Sequence, residues 1–216
     1  MLVLLPPSEG KTAPPAGADP VDLDALVHAR ELGPARRKAL GAKLRRAPAA
    51  PAHEVYTGVL FARMGLATLK HEDVLIFSAL WGVVAPGDRI PEYKLPVGGS
   101  GRGPVLKPAL AKALAARDVA DEVVVDLRSG GYVALWKPTA ASHVAVRLHA
   151  KRPDGARQVN SHNAKVARGD VGRAVLKSRR RVRTPEDVAA AARATGLEVE
   201  LSGDGRAWTL DVLERA

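Results

Sequence analysis

Short apolar runs bounded by turn residues frame the chain. Leu2 to Leu5 is wholly apolar and stops at Pro6-Pro7, which predicts a short buried strand. Val74 to Phe77 predicts a central strand, Val123 to Leu127 a second buried one, and the alternating Val144 to Leu148 a third. Elsewhere the period is helical. Asp22 is placed to cap a helix running to about Glu31, with Leu23, Leu26 and Val27 on one face. Leu32-Gly33-Pro34 predicts its end, and a second helix follows from Ala35 to about Arg46. Glu54 to Leu69 reads as helical with interruptions at Gly58 and Gly65, and Lys107 to Arg117 as a helix on the spacing of Leu106, Leu110 and Leu114. Trp81 to Gly103, dense in Gly and Pro, is too long for an ordinary connection and predicts a functional loop. Asn163 to Lys177 is helical. Thr184-Pro185-Glu186-Asp187 starts another helix, which ends near Thr195 at Gly196. Leu197 to Leu201 and Ala207 to Leu210 flank Gly203-Asp204-Gly205 and predict a closing hairpin.

This order predicts an α/β (α+β mixed) fold, with a central mixed sheet flanked by helices. It adds a helix-hairpin-helix-like element near residues 22–46 and a C-terminal β-hairpin. A length of 216 residues suits one domain over 1–216, with the helical hairpin at 22–46 as an appendage.

Composition narrows the chemistry. The absence of cysteine excludes disulfides, thiolate metal sites and cysteine nucleophiles, and fits a reducing, cytoplasmic setting. Met1 to Leu5 is too short for the core of a signal peptide, and no apolar run nears the roughly 20 residues of a membrane span. The six histidines lack ligand spacing, so neither a metal nor a cofactor is expected.

Charge changes the picture most. The net charge is +10, and Arg147 to Arg183 holds twelve Lys/Arg against Asp154 and Asp170. That uneven placement points to a polyanion as partner: DNA bound with weak sequence preference, or a small phosphorylated ligand. Gly-Lys-Thr at Gly10 to Thr12 suggests a P-loop, but Leu5 stands where the first glycine belongs and Pro14-Pro15 follow. Ser8 and Lys11 remain candidates for phosphate contact just past a strand end. Gly33 with Arg36, Arg37 and Lys38 could present a helical turn to a phosphate. In the helix from Asn163, Lys165, Arg168, Arg173 and Lys177 fall on one side, opposite Ala167, Val171, Ala174 and Val175. Lys94, Arg128 and Ser129 complete the candidate phosphate-binding set. Glu9, Glu54, Glu92 and Asp126 are candidate proton acceptors or donors. If the chain is an enzyme, Lys165, Asp126, Glu92 and Tyr56 are its candidate catalytic residues.

Several stretches carry a resemblance. They are Leu4 to Thr12, Val55-Tyr56-Thr57-Gly58, Ser78 to Pro86, Ile90-Pro91-Glu92-Tyr93-Lys94-Leu95, Asp126-Leu127-Arg128-Ser129 with Tyr132 and Lys137-Pro138, and Ala164 to Gly169 with Arg173. In this order and spacing the chain resembles the YaaA peroxide-stress family across nearly its whole length. The resemblance implies an α/β fold with a helix-hairpin-helix element, a positively charged cleft and DNA binding. It also implies a part in limiting iron-dependent peroxide damage. Two departures are Gly98 to Gly103, where the family commonly has a tryptophan-containing helix, and Gly131, where it often has an acid.

Overall fold

The computed structural model describes residues 1–94, 102–115, 119, 121–138, 142–151, 157–159 and 163–214. The first half runs β1 (Leu2–Leu5), α1 (Ala29–Ala39), α2 (Ala42–Arg45), β2 (Ala50–Pro51), α3 (Ala52–Val55), α4 (Val59–Met64), β3 (Val74–Ser78), β4 (Gly82–Val84) and β5 (Arg89–Ile90). The second half runs α5 (Arg102–Ala115), β6 (Val123–Asp126), β7 (Ser142–Lys151), β8 (Arg157–Val159), α6 (Ala164–Lys177), α7 (Pro185–Ala194), β9 (Val199–Asp204) and β10 (Ala207–Glu214).

The central sheet has the order β4-β3-β1-β6-β7-β10-β9, with β8 paired to β7. Strands β3, β1, β6, β7 and β10 are mutually parallel, whereas β4, β8 and β9 join antiparallel. The sheet is therefore mixed, as the alternation of strands and helices predicts, and β9–β10 is the expected terminal hairpin. Strands β2 and β5 form a separate two-stranded ribbon.

Period-2 alternation splits the core into two layers. Leu2 and Leu4 of β1, Leu75 and Phe77 of β3 and Val124 of β6 face Leu32 of α1 and Leu110 and Leu114 of α5. Val3, Leu5, Val74, Ile76, Val123 and Val125 face the opposite way, toward Leu60 and Met64 of α4, Val171 and Val175 of α6 and Val188 of α7. The helix start read at Thr184 is confirmed and takes the form of a capping box, with Thr184 Oγ1 and Asp187 each accepting the other's backbone N–H.

The helical hairpin near residues 22–46 does not turn where the sequence predicts. No turn occurs at Gly33: α1 passes straight through Gly33 and Pro34, and the chain turns only at Leu40-Gly41, ahead of the single turn of α2. Asp22 does not cap a helix either, since its Oδ1 accepts from Asp24 N in a local turn. A proline inside a helix costs about 3 kcal/mol. Tertiary contacts outweigh it here: Leu32 and Arg36 are both buried, and Arg36 donates to three backbone carbonyls, of Trp81, Val27 and Val83. Helix α5 also begins earlier than the leucine spacing predicts, at Arg102. The loop expected over Trp81 to Gly103 contains β4 and β5, and its stretch 95–101 lies outside the described residues.

Helices α4 and α6 meet at unusually close range. A Cβ at Gly169 would lie 2.6 Å from Arg63 Cβ and 2.7 Å from the Leu60 carbonyl oxygen. Such contact with backbone cannot relax locally. Gly169→Ala is expected to lower the free energy of unfolding by about 1–3 kcal/mol, read by urea denaturation at unchanged m-value.

Candidate functional site

In open sheets, ligands gather beyond the carboxyl ends of strands, where the strand order reverses. Here β1 is followed by β3 on one side and adjoined by β6 on the other, so the reversal lies between β1 and β6. A pocket of about 440 Å³ opens there, within the usual range for small-molecule sites. The segment after β1 supplies Pro6 to Lys11, and the start of α4 supplies Gly58 to Phe61. Tyr93 and Lys94 come from the chain after β5, Ser129 and Tyr132 from the chain after β6, and Lys165 and Arg168 from α6.

The floor is locked by backbone. Lys11 and Tyr56 form an isolated antiparallel bridge, Thr12 N donates to the Val55 carbonyl and Thr57 N to that of Gly10. Ser8 Oγ accepts from Gly58 N at 2.7 Å. A Cβ at Gly58 would fall 2.2 Å from that oxygen, so only glycine permits this bond. Lys11 Nζ donates to the Ser8 carbonyl at 2.6 Å and lies 4.6 Å from the Tyr93 ring centroid. Burial pushes the Lys11 ammonium below the ordinary lysine range, opposed by the charges of Glu92 and Glu9.

Beneath Lys11 runs a buried hydroxyl chain. Tyr56 and Tyr93 share a 2.6 Å hydrogen bond, and Tyr93 shares a 2.7 Å bond with Ser78 Oγ, which also accepts from Leu80 N and Trp81 N. Burial pushes both phenols above their ordinary range, so they remain neutral donors at physiological pH. Tyr56 thus supports the site from below and is not part of the pocket wall.

Asp126 is also inside. Arg128 grips it with two side-chain bonds, Nε to Oδ1 at 2.9 Å and Nη2 to Oδ2 at 2.7 Å, while Arg128 N adds a third. His143 Nε2 lies 2.8 Å from Oδ2. Burial opposes ionisation of Asp126. The bonds from Arg128 and His143, with the Arg128 charge, outweigh it and hold the carboxyl far below its ordinary range. So held, Asp126 is a fixed anion and a poor proton acceptor. It also stands near enough to Arg168 to support that guanidinium's charge against the larger effect of burial.

Of the residues selected from sequence, the structure brings Ser8, Lys11, Lys94, Ser129, Lys165 and Arg168 to one pocket. Lys94 and Lys165 are exposed at its rim, and Lys165 Nζ lies 3.4 Å from Glu9. Arg168 is half-buried and donates to the Val146 carbonyl at 3.3 Å. Others go elsewhere. Arg36 is fully buried, Arg128 is enclosed with Asp126, and Arg173 donates to the Met64 carbonyl at the end of α4. Arg36 and Arg128 have no face toward solvent as a phosphate contact would require, and the half-buried Arg173 lies outside the pocket. Gly33 is buried within α1, while Arg37 and Lys38 are exposed there, Arg37 paired with Asp24 at 2.9 Å. Glu54 and Glu92 are exposed, and neither is among the residues lining the pocket. His143 and Ser78 were not selected as site residues. Only the placement of their strand ends links them to Asp126 and Tyr93, and no spacing in the chain signals it. Among the described residues, no three His, Asp or Glu side chains gather as a metal site, and no helix is long and apolar enough to cross a membrane.

The fold and pocket define an α/β protein with a preformed, cation-lined site at the switch point of its sheet. The chain belongs to the family described as peroxide stress protein YaaA, whose model matches residues 21–201. It is similar to a UPF0246 protein of Streptomyces coelicolor, 37% identical over 99% of this chain and 98% of that one. A UPF0246 protein of Corynebacterium efficiens is 37% identical over 99% of this chain and all of its own length, and one of Corynebacterium glutamicum strain R is 35% identical over 93% and 95%.

Proposed function

We propose that this peroxide-stress family member binds DNA by its phosphate groups at the cationic pocket and so helps limit iron-dependent oxidative damage. The observation that carries the binding is the convergence of Lys11, Lys94, Lys165 and Arg168 on one concavity in a chain of net charge +10. Basic residues around a cleft supply the sequence-independent, salt-sensitive part of nucleic-acid affinity. The exposed Lys177, Arg179, Arg180, Arg181 and Arg183 extend the positive surface beyond the end of α6. A second reading, an enzyme acting on a small anionic substrate such as a nucleotide, is favoured by a concavity of small-molecule size and by the buried Tyr56–Tyr93–Ser78 chain beneath Lys11.

Fluorescence anisotropy with labelled duplexes over a salt series separates the two. On the DNA reading, affinity falls steeply with salt, and Lys165→Ala weakens binding to all sequences alike, reducing the log–log salt slope by about 1. Tight binding of a mononucleotide with only low-salt DNA binding, indifferent to Lys165→Ala, would decide for the second reading. In cells, loss of the chain should raise peroxide killing, and an iron chelator should reverse the effect.

A further inference from the structure

Lys11 differs from the other cations of the pocket. Lys94 and Lys165 are exposed at the rim, and Arg168 cannot act as a nucleophile because its guanidinium stays protonated. Lys11 is half-buried, its Nζ fixed by the Ser8 carbonyl at 2.6 Å and set against the Tyr93 ring. It makes no ion pair among the described residues, since Glu9, the carboxylate beside it in sequence, pairs instead with Lys165. A phosphate-binding cation needs neither this enclosure nor this fixed direction. A primary amine that must meet a carbonyl carbon needs both.

Resting on the reading of the pocket as a phosphate site, we infer that Lys11 is an amine nucleophile that forms an imine with the open aldehyde of a sugar phosphate. Lys94, Lys165 and Arg168 hold the phosphate, and the Lys11 nitrogen attacks the aldehyde carbon. The ammonium first gives its extra proton to solvent, a loss that the partial burial of Lys11 favours over the opposing charges of Glu92 and Glu9. A C–N bond forms, both remaining amine protons pass to the carbonyl oxygen, and that oxygen leaves as water. The step is redox-neutral. The aldehyde could belong to an abasic position in DNA or to a free aldose phosphate.

Borohydride trapping tests this with the full chain. An oligonucleotide carrying an abasic site, and separately ribose 5-phosphate, is incubated with protein and reduced, and the adduct is mapped by mass spectrometry. A secondary-amine adduct at Lys11, suppressed by inorganic phosphate and reduced at least tenfold in Lys11→Arg, is expected with at least one probe. Trapping with the oligonucleotide alone assigns the aldehyde to DNA, and with ribose 5-phosphate alone to a small metabolite. Adducts spread over surface lysines without Lys11, or insensitive to phosphate, would overturn the inference. Affinity for an intact oligonucleotide is measured alongside. Binding without trapping removes the imine step and leaves the phosphate site, whereas absence of both removes both.

Discussion

Arg36→Ala is expected to destabilise the protein by about 3–5 kcal/mol, with the unfolding midpoint in urea falling accordingly. Arg36 is 0% exposed and donates to the carbonyls of Trp81 at 3.1 Å, Val27 at 3.0 Å and Val83 at 2.5 Å. Its side chain therefore ties α1 to Trp81 at the turn into β4, to Val83 within β4 and to Val27 ahead of the helix. Burial lowers its pKa to about 10, against the pull of Asp88, so it stays charged at neutral pH. Alanine would leave three carbonyls without that donor and a cavity the size of the guanidinium and its stem. Asp88, which accepts from Val27 N and Ala85 N, would also lose a compensating charge. Lysine would retain the charge but could not span three acceptors in the fixed geometry of the fork, so Arg36→Lys should fall between. The adjacent Arg37, exposed and paired with the exposed Asp24, gives the contrast: Arg37→Ala should change stability by less than about 0.5 kcal/mol. Equal stability of the two alanine variants would refute the buried placement of Arg36. DNA affinity per folded molecule should respond little to Arg36→Ala, because the guanidinium has no face toward solvent.

Arg36 also shows where the sequence could be read and where it could not. Strands β1, β3 and β6 were legible because a strand buried on both faces must be apolar throughout, whatever packs on it. The start of α7 at Thr184 and the β9–β10 turn were legible because their determinants are local. The pocket was legible in outline: Ser8, Lys11 and Ser129 sit just past strand ends, where the fold class places ligands before any side chain is seen. What failed was the assignment of charge to surface. Arg36 lies in a basic run beside Arg37 and Lys38, Arg128 is two residues from an acid, and Arg173 is on a helix rich in cations. Each looks solvated in sequence, yet each donates to protein acceptors: Arg36 and Arg173 to backbone carbonyls, Arg128 mainly to Asp126. Those acceptors come from segments 45, 109 and 2 residues distant. Gly33-Pro34 misled for a related reason. Local chemistry there favours a break, and only the burial of Leu32 and Arg36 against the sheet keeps α1 continuous.

The same enclosure makes Asp126 the second large effect. Asp126→Ala is expected to destabilise by about 3–5 kcal/mol, because it strands the Arg128 guanidinium, itself 3% exposed, without its counter-charge. Among the described residues, Arg128 would keep its bond to the Tyr132 carbonyl and its approach to the Phe77 ring at 4.4 Å. Asp126→Asn should cost less, since an amide still accepts one bond. It carries the more diagnostic signature, which is in pH. The native carboxyl is held far below its ordinary range, while in the unfolded chain it titrates near the ordinary value of about 4. Its contribution is therefore full above about pH 4 and is lost as the pH falls toward the native value, because the unfolded chain takes up the proton first. Urea denaturation of the wild type should show stability falling through this acid range, and Asp126→Asn should flatten that fall while lowering the plateau above it. An acid limb unchanged in Asp126→Asn would mean that other carboxylates govern acid unfolding. The consequence reaches the pocket, since Asp126 supports the charge of half-buried Arg168 against desolvation. Arg168 stays protonated with or without that support, so removing the neighbouring negative charge in Asp126→Asn should leave anion affinity unchanged or raise it wherever the protein remains folded. A rise in affinity together with a retained unfolding transition would show that Asp126 sets the field at the wall of the site without touching what it binds.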